Sequence, residues 1–130
     1  MNDEKHILLA HGGGGQLTAE LIAEVILPAL GPAGTQQPEQ LNDAAGVDLA
    51  AFGGGGRVAL TTDSYVVQPM EFPGGDIGKL AVCGTVNDLA VMGAVPRALS
   101  LALVIQEGLE IEVLRRVLTS AGEAAGAAGV

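Results

Sequence analysis

The sequence predicts an α+β fold in which a mixed sheet is covered by helices. Three observations carry that prediction. Apolar stretches switch between strand-like and helix-like spacing along the chain, and Gly and Pro clusters mark the boundaries. Hydrophobic residues make up 48% of the 130 positions and charged residues 16%, a globular balance with enough length for one domain and a buried core. One Tyr, two Phe and no Trp leave that core to Leu, Val, Ile and Ala.

Taken in order, Ile7–Ala10 is a short apolar run that ends in His11-Gly12-Gly13-Gly14-Gly15. Thr18 precedes a helix-spaced stretch, Ala19–Leu27, with an acid in its first turn; Pro28, Gly31 and Pro32 are expected to stop it. Gly34–Gln40 is a polar loop, and Leu41–Phe52 admits a strand around Asn42-Asp43-Ala44-Ala45. Gly53–Gly56 is a turn before the strand Arg57–Thr62. Ser64–Gly75 reads as a long loop broken by Pro69, Pro73 and Gly74-Gly75.

Asp76 can then N-cap a helix that runs to about Met92 and closes at Gly93. Pro96 opens a strand, Arg97–Gln106, in which Leu99, Leu101 and Leu103 alternate with Ala98, Ser100 and Ala102. After a turn at Glu107-Gly108, Glu110–Ala125 forms an amphipathic helix with Ile111, Leu114, Val117 and Leu118 on one side. Val130 follows that helix directly, where a further strand is expected, so residues 1–130 read as one domain of a longer protein.

Charge and composition exclude several classes of function. A net charge of −9 opposes nucleic-acid binding, which needs clustered Lys and Arg, and the scarcity of aromatics removes a base-stacking platform. The single cysteine, Cys83, rules out a disulfide within one chain and is expected to be a small core residue. Met1–His6 is polar and the glycines at 12–15 interrupt any apolar run, so no secretory leader is expected. No apolar stretch has the length of a membrane span, and a cytoplasmic location is the expectation.

The segment Asp76–Met92 carries the first chemical signal. At about 100° per residue, Ile77, Leu80, Val82, Val86, Leu89, Val91 and Met92 cover nearly the whole circumference, the pattern of a buried helix. A carboxylate on such a helix needs a metal, a cation or hydrogen-bond donors, and Asn87-Asp88 is therefore conspicuous. A loop-capping role for Asp88 is the alternative. Gly78 and Gly84 weaken the helix yet permit close approach by a backbone or a ligand.

Asp43 and Asp63 are the other acids placed to converge with Asp88, because an acid at a strand end projects over the edge of a sheet. Three such carboxylates suit Mg²⁺, which takes oxygen ligands and bridges to substrate phosphates. For Asp63 alone, a turn-forming role explains the residue as well. Lys79, in the first turn after Gly74-Gly75, resembles part of a P-loop. The glycine interval is one residue short and Leu80 stands where a hydroxyl is required, so a P-loop fold is rejected. A Gly-rich helix start with one Lys can still hold phosphate, against the alternative of a surface lysine. The Gly12–Gly15 loop can wrap phosphates through its amides or be a plain terminal loop.

Together, His11-Gly-Gly-Gly-Gly-Gln, Asn42-Asp43-Ala-Ala, Thr61-Thr-Asp-Ser-Tyr-Val-Val and the run Phe72–Arg97 resemble the HypE-type hydrogenase-maturation proteins. These belong to the superfamily of aminoimidazole ribonucleotide synthetase, selenophosphate synthetase and thiamine-monophosphate kinase. The resemblance extends from about Ile7 to Val130. It implies an N-terminal domain whose sheet pairs across a homodimer into a barrel, with ATP and Mg²⁺ beside it.

The resemblance also implies an activity for the whole protein. It would use ATP to dehydrate a thiocarboxamide on its own C-terminal Cys, and the thiocyanate formed would supply the cyanide ligands of [NiFe]-hydrogenase iron. HypF, HypC and HypD would be its partners. By position, Asp43, Asp63 and Asp88 match metal- and phosphate-handling acids, and Asn87 and Lys79 match residues of the nucleotide cleft. Asp88 and Lys79 are the candidate catalytic pair, and Gly12, Gly13, Gly14 and Gly15 match a segment near the phosphates. Asn42 departs from the Asp-Asp pair of many relatives. A small-molecule kinase of the same superfamily and a catalytically silent dimerisation module are the competing readings. The fragment alone is not expected to complete the reaction.

Overall fold

A computed structural model describes residues 5–34, 46–48, 50 and 56–130. The α+β class holds, with helices dominant. Two long helices, α3 (Ile77–Val91) and α4 (Ile111–Ala128), form the frame. Gly78 meets the backbone at Val117, and Val82 clusters with Ala121 and Ala125, so the contacts advance in the same direction along both helices. A Cβ at Gly78 would overlap the Val117 carbonyl, which is the close approach the glycine permits.

The N-terminal helix packs on the same frame. It begins three residues earlier than expected, as α1 (Gln16–Leu21), widens into a π-turn (Ile22–Ile26) and resumes as α2 (Leu27–Leu30). Pro28 therefore does not stop it. A regular α-helix would leave the Glu24 carbonyl facing the missing N–H of Pro28; the wider π spacing bypasses that position, and Arg115 Nη1 reaches the same carbonyl at 3.4 Å. Leu21, Val25 and Ala29 bury their side chains against Ile111, Leu114 and Leu118, with Ile7 completing the cluster. Leu118 and Val25 are almost wholly enclosed.

Residues 5–7 run antiparallel to 108–111, where Ile7 N donates to Leu109 O at 2.7 Å and Gly108 N to Ile7 O at 2.8 Å. The long loop expected before α3 contains a hairpin, β1 (Glu71–Phe72) with β2 (Gly75–Asp76), turned by Pro73-Gly74. Gly74 has φ 97°, which follows proline here as the left-handed position of a tight turn does.

Three expectations are corrected. Residues 57–62 and 97–106 form no strand with other described residues, because the ladder groups of a strand need an adjacent edge and no described segment supplies one. The only sheet among the described residues is the two-stranded β1–β2 pair. Leu99 and Ile105 still anchor the second segment on the helices, whereas Leu60, Val66 and Val104 are fully exposed. Helix α3 is not buried all round: Gly78, Val82 and Leu89 face inward, while Val91 and Met92 lie open. Cys83, expected in the core, is exposed on this same helix.

Candidate functional site

Helix α3 starts as its sequence predicts. The Asp76 carboxylate accepts from Lys79 N at 2.9 Å and caps the first turn, and Met92 and Gly93 close the other end. Asp88 and Asn87 sit exposed near that far end. Thr85 and Gly84 lie three and four residues before Asp88, on its face of the helix.

The segment Thr61–Tyr65 lies against that face. Thr61 Oγ1 donates to Asp88 Oδ2 at 3.2 Å. The Tyr65 ring packs so closely on Gly84 that a Cβ there would overlap its hydroxyl. Asp63, between them in sequence, accepts from Ser64 N at 2.8 Å and bears on the Tyr65 hydroxyl together with Thr85. Burial pushes the Tyr65 phenol above its ordinary pKa; the Thr85 hydroxyl lowers it, and Asp63 and Asp88 raise it further. Tyr65 thus stays neutral at physiological pH between two carboxylates. Its hydroxyl oxygen is buried without a hydrogen bond of full geometry.

Two of the three predicted metal-binding acids, Asp63 and Asp88, are therefore brought to one cluster; Asp43 lies outside the described residues. Among the described residues no three acids, histidines or cysteines converge tightly enough to hold a metal. The donors present, two carboxylates with the hydroxyls of Thr61, Thr85 and Tyr65, are all oxygens and fit the chemistry of Mg²⁺.

Lys79 stands apart from this cluster. Nine residues separate it from Asp88, which at about 100° each puts the two on opposite sides of α3. Its Nζ donates to Gly74 O at 3.2 Å, and its own amide at the helix start donates to Asp76 Oδ1.

The glycine loop is also held elsewhere. Gly14 N donates to Thr18 Oγ1 at 2.9 Å and that hydroxyl donates to His11 O at 2.7 Å, closing the loop onto α1. Buried His11 accepts from Leu8 N at 2.8 Å through Nδ1, and Leu9 N donates to Glu107 Oε1 at 3.0 Å. A cleft of about 480 Å³ at the N-terminal end of α4, bounded by Lys5, Glu24, Glu110 and Arg115, contains none of the predicted site residues.

Tyr65, Thr61 and Thr85 were not among the residues singled out from the sequence. The signal was present: Thr61, Asp63 and Tyr65 recur at the period of a strand, and Gly84, Thr85 and Asp88 share one face of a helix. Only the tertiary structure shows that the two rows meet.

Residues 41–130 match the family model described as AIR synthase related protein, N-terminal domain. The chain is 51% identical over 130 residues to the carbamoyl dehydratase HypE of Rhodobacter capsulatus, covering all of this chain and 36% of that protein. To the HypE of Escherichia coli K12 it is 48% identical over 126 residues, covering 96% of this chain and 37% of that one. The crystal structure of the hydrogenase maturation protein HypE in complex with ATP superposes with a TM-score of 0.83 at 46% identity, over 95% of this chain and 34% of that one. The chain thus spans about a third of the length of these relatives. It belongs to the AIR synthase related family, of which it carries the N-terminal domain.

Proposed function

We propose that this chain is the ATP-binding, dimer-forming domain of a HypE-type maturation enzyme for [NiFe]-hydrogenase. The observation that carries the reading is the meeting of Thr61 and Asp63 with Asp88 beside Tyr65, in a chain 46% identical to a HypE crystallised with ATP. Asp63 and Asp88, with Asp43, would hold Mg²⁺, which offsets charge on a transferring phosphoryl group. Asn87, exposed beside Asp88, and the Gly12–Gly15 segment would lie near the nucleotide. Lys79 would act through its ammonium alone, at the hairpin end of α3.

In the whole protein, ATP would phosphorylate the oxygen of a C-terminal Cys thiocarboxamide, and loss of phosphate would leave the thiocyanate. HypF would supply the carbamoyl group, HypC and HypD would receive the cyanide, and the setting would be the cytoplasm. Homodimer formation is supported by the apolar residues left open on the unpaired segments, Leu60 at 91%, Val66 at 98% and Val104 at 104% exposure. A second copy that supplies the missing strand edges would cover them.

Calorimetric titration of the chain with ATP and Mg²⁺, beside Asp88→Asn, tests the nucleotide role. The expected result is Mg²⁺-dependent binding in the wild type that Asp88→Asn abolishes. Absence of binding at millimolar ATP would leave a dimerisation module and overturn the nucleotide role for this chain.

A further inference from the structure

Both carboxylates of the candidate cation site have one oxygen engaged. Asp63 Oδ1 accepts from Ser64 N at 2.8 Å, within its own stretch of chain. Asp88 Oδ2 accepts from Thr61 Oγ1 at 3.2 Å, across 27 residues of sequence. One oxygen of each acid, Asp63 Oδ2 and Asp88 Oδ1, is thereby left for a ligand.

The seat of Thr61 on α3 does not depend on Asp88 itself. Four residues on, the Tyr65 ring fills the notch at Gly84, one helical turn from Asp88. That packing holds the segment against the helix without the carboxylate. Thr61 is half-buried and Asp88 exposed, so the hydroxyl is the fixed partner and the carboxylate is the one it orients.

The number of oxygens a carboxylate can offer discriminates between hard cations. Ca²⁺ takes about six to eight oxygen ligands in flexible geometry and often grips a carboxylate by both of its oxygens. Mg²⁺ is smaller, requires a near-ideal octahedron, and is held by one or two carboxylates together with waters and substrate phosphates. An Asp88 that already accepts from Thr61 through Oδ2 suits the second cation. A cation gripping both oxygens would have to compete with the Thr61 hydroxyl.

We propose that Thr61 is a positioning residue that sets cation choice: by donating to Asp88 Oδ2 it reserves Oδ1 as a single-oxygen ligand, which favours Mg²⁺ over Ca²⁺. This rests on the reading of Asp63 and Asp88 as a cation–nucleotide site. Thr61 touches neither cation nor nucleotide in this scheme and acts through Asp88.

The test compares wild type, Thr61→Val and Thr61→Ser by calorimetric titration with Mg²⁺·ATP and with Ca²⁺·ATP, and by carboxyl-¹³C NMR of the aspartates without metal. Thr61→Val keeps the side-chain shape and removes the donor. Its preference for Mg²⁺·ATP over Ca²⁺·ATP should fall about tenfold, the loss of one charge-assisted hydrogen bond. Thr61→Ser should retain the preference. In the metal-free chain the Asp88 resonance should move in Thr61→Val and that of Asp63 should not. Thr61→Ala, which also lacks the donor, replaces Thr61→Val if the latter does not fold. Equal weakening with both cations marks a merely structural residue and overturns the proposal while the cation site stands; an unmoved Asp88 resonance overturns it as well. Wild type that binds ATP with neither cation overturns the cation reading itself, and the selectivity role with it.

Discussion

Gly78→Ala separates helix propensity from helix packing, because the two predict opposite signs. In an exposed helix interior, Gly→Ala stabilises by about 1 kcal/mol. At Gly78 the new methyl would overlap the Val117 carbonyl, a backbone atom of α4 that cannot rotate aside. Overpacking of this kind costs about 1–3 kcal/mol, and the upper end applies where backbone must move. Subtracting the propensity gain leaves a net loss of about 2 kcal/mol. Gly126→Ala is the matched control: it lies in α4 with nothing near its absent side chain, and should stabilise by up to about 1 kcal/mol. Urea denaturation followed by far-UV circular dichroism reads both. Stabilisation of Gly78→Ala to the same degree as Gly126→Ala would refute the close α3–α4 crossing.

Other expectations are simpler to state. Asp76→Ala removes the side chain that caps α3 at Lys79 N and should cost about 1 kcal/mol by the same urea assay, whereas Asp76→Asn should cost much less. Arg116 grips Glu71 through two contacts, at 2.9 and 3.2 Å, and its guanidinium holds the Glu71 carboxyl below the ordinary glutamate range. A depressed carboxyl contributes stability above its unfolded pKa and loses it as pH falls through the folded value. The unfolding midpoint of wild type should thus fall slightly more than that of Arg116→Gln as acid enters the glutamate range. Added salt should erase the difference, because both side chains are exposed; a difference that persists in high salt would contradict the assignment.

Much of the local structure was legible in the sequence because its causes are local. Asp76 caps and Gly93 closes α3 through backbone groups within one turn of themselves. Helix α4 was read from the spacing of Ile111, Leu114 and Leu118, and those residues form its buried face. The N-terminal helix does not stop at Pro28, because the relief comes from a π-turn and from Arg115, which reaches the Glu24 carbonyl from ninety-one residues along the chain. The all-round apolar pattern of α3 was read as burial, but hydrophobicity specifies what a face can cover and not whether a cover is present.

The candidate site divides along the same line. The residue types of Asp63, Asn87 and Asp88, and the room left by Gly78 and Gly84, follow from the sequence alone, since an acid or a missing side chain keeps its chemistry wherever it is placed. That Thr61 reaches Asp88, that Gly84 receives Tyr65 while Gly78 receives α4, and that Lys79 turns away from Asp88 were decided by tertiary structure. Each depends on the seating of one element upon another, and that seating is set by the packing of the whole core around Val82, Leu114 and Leu118, which no spacing within a single segment encodes.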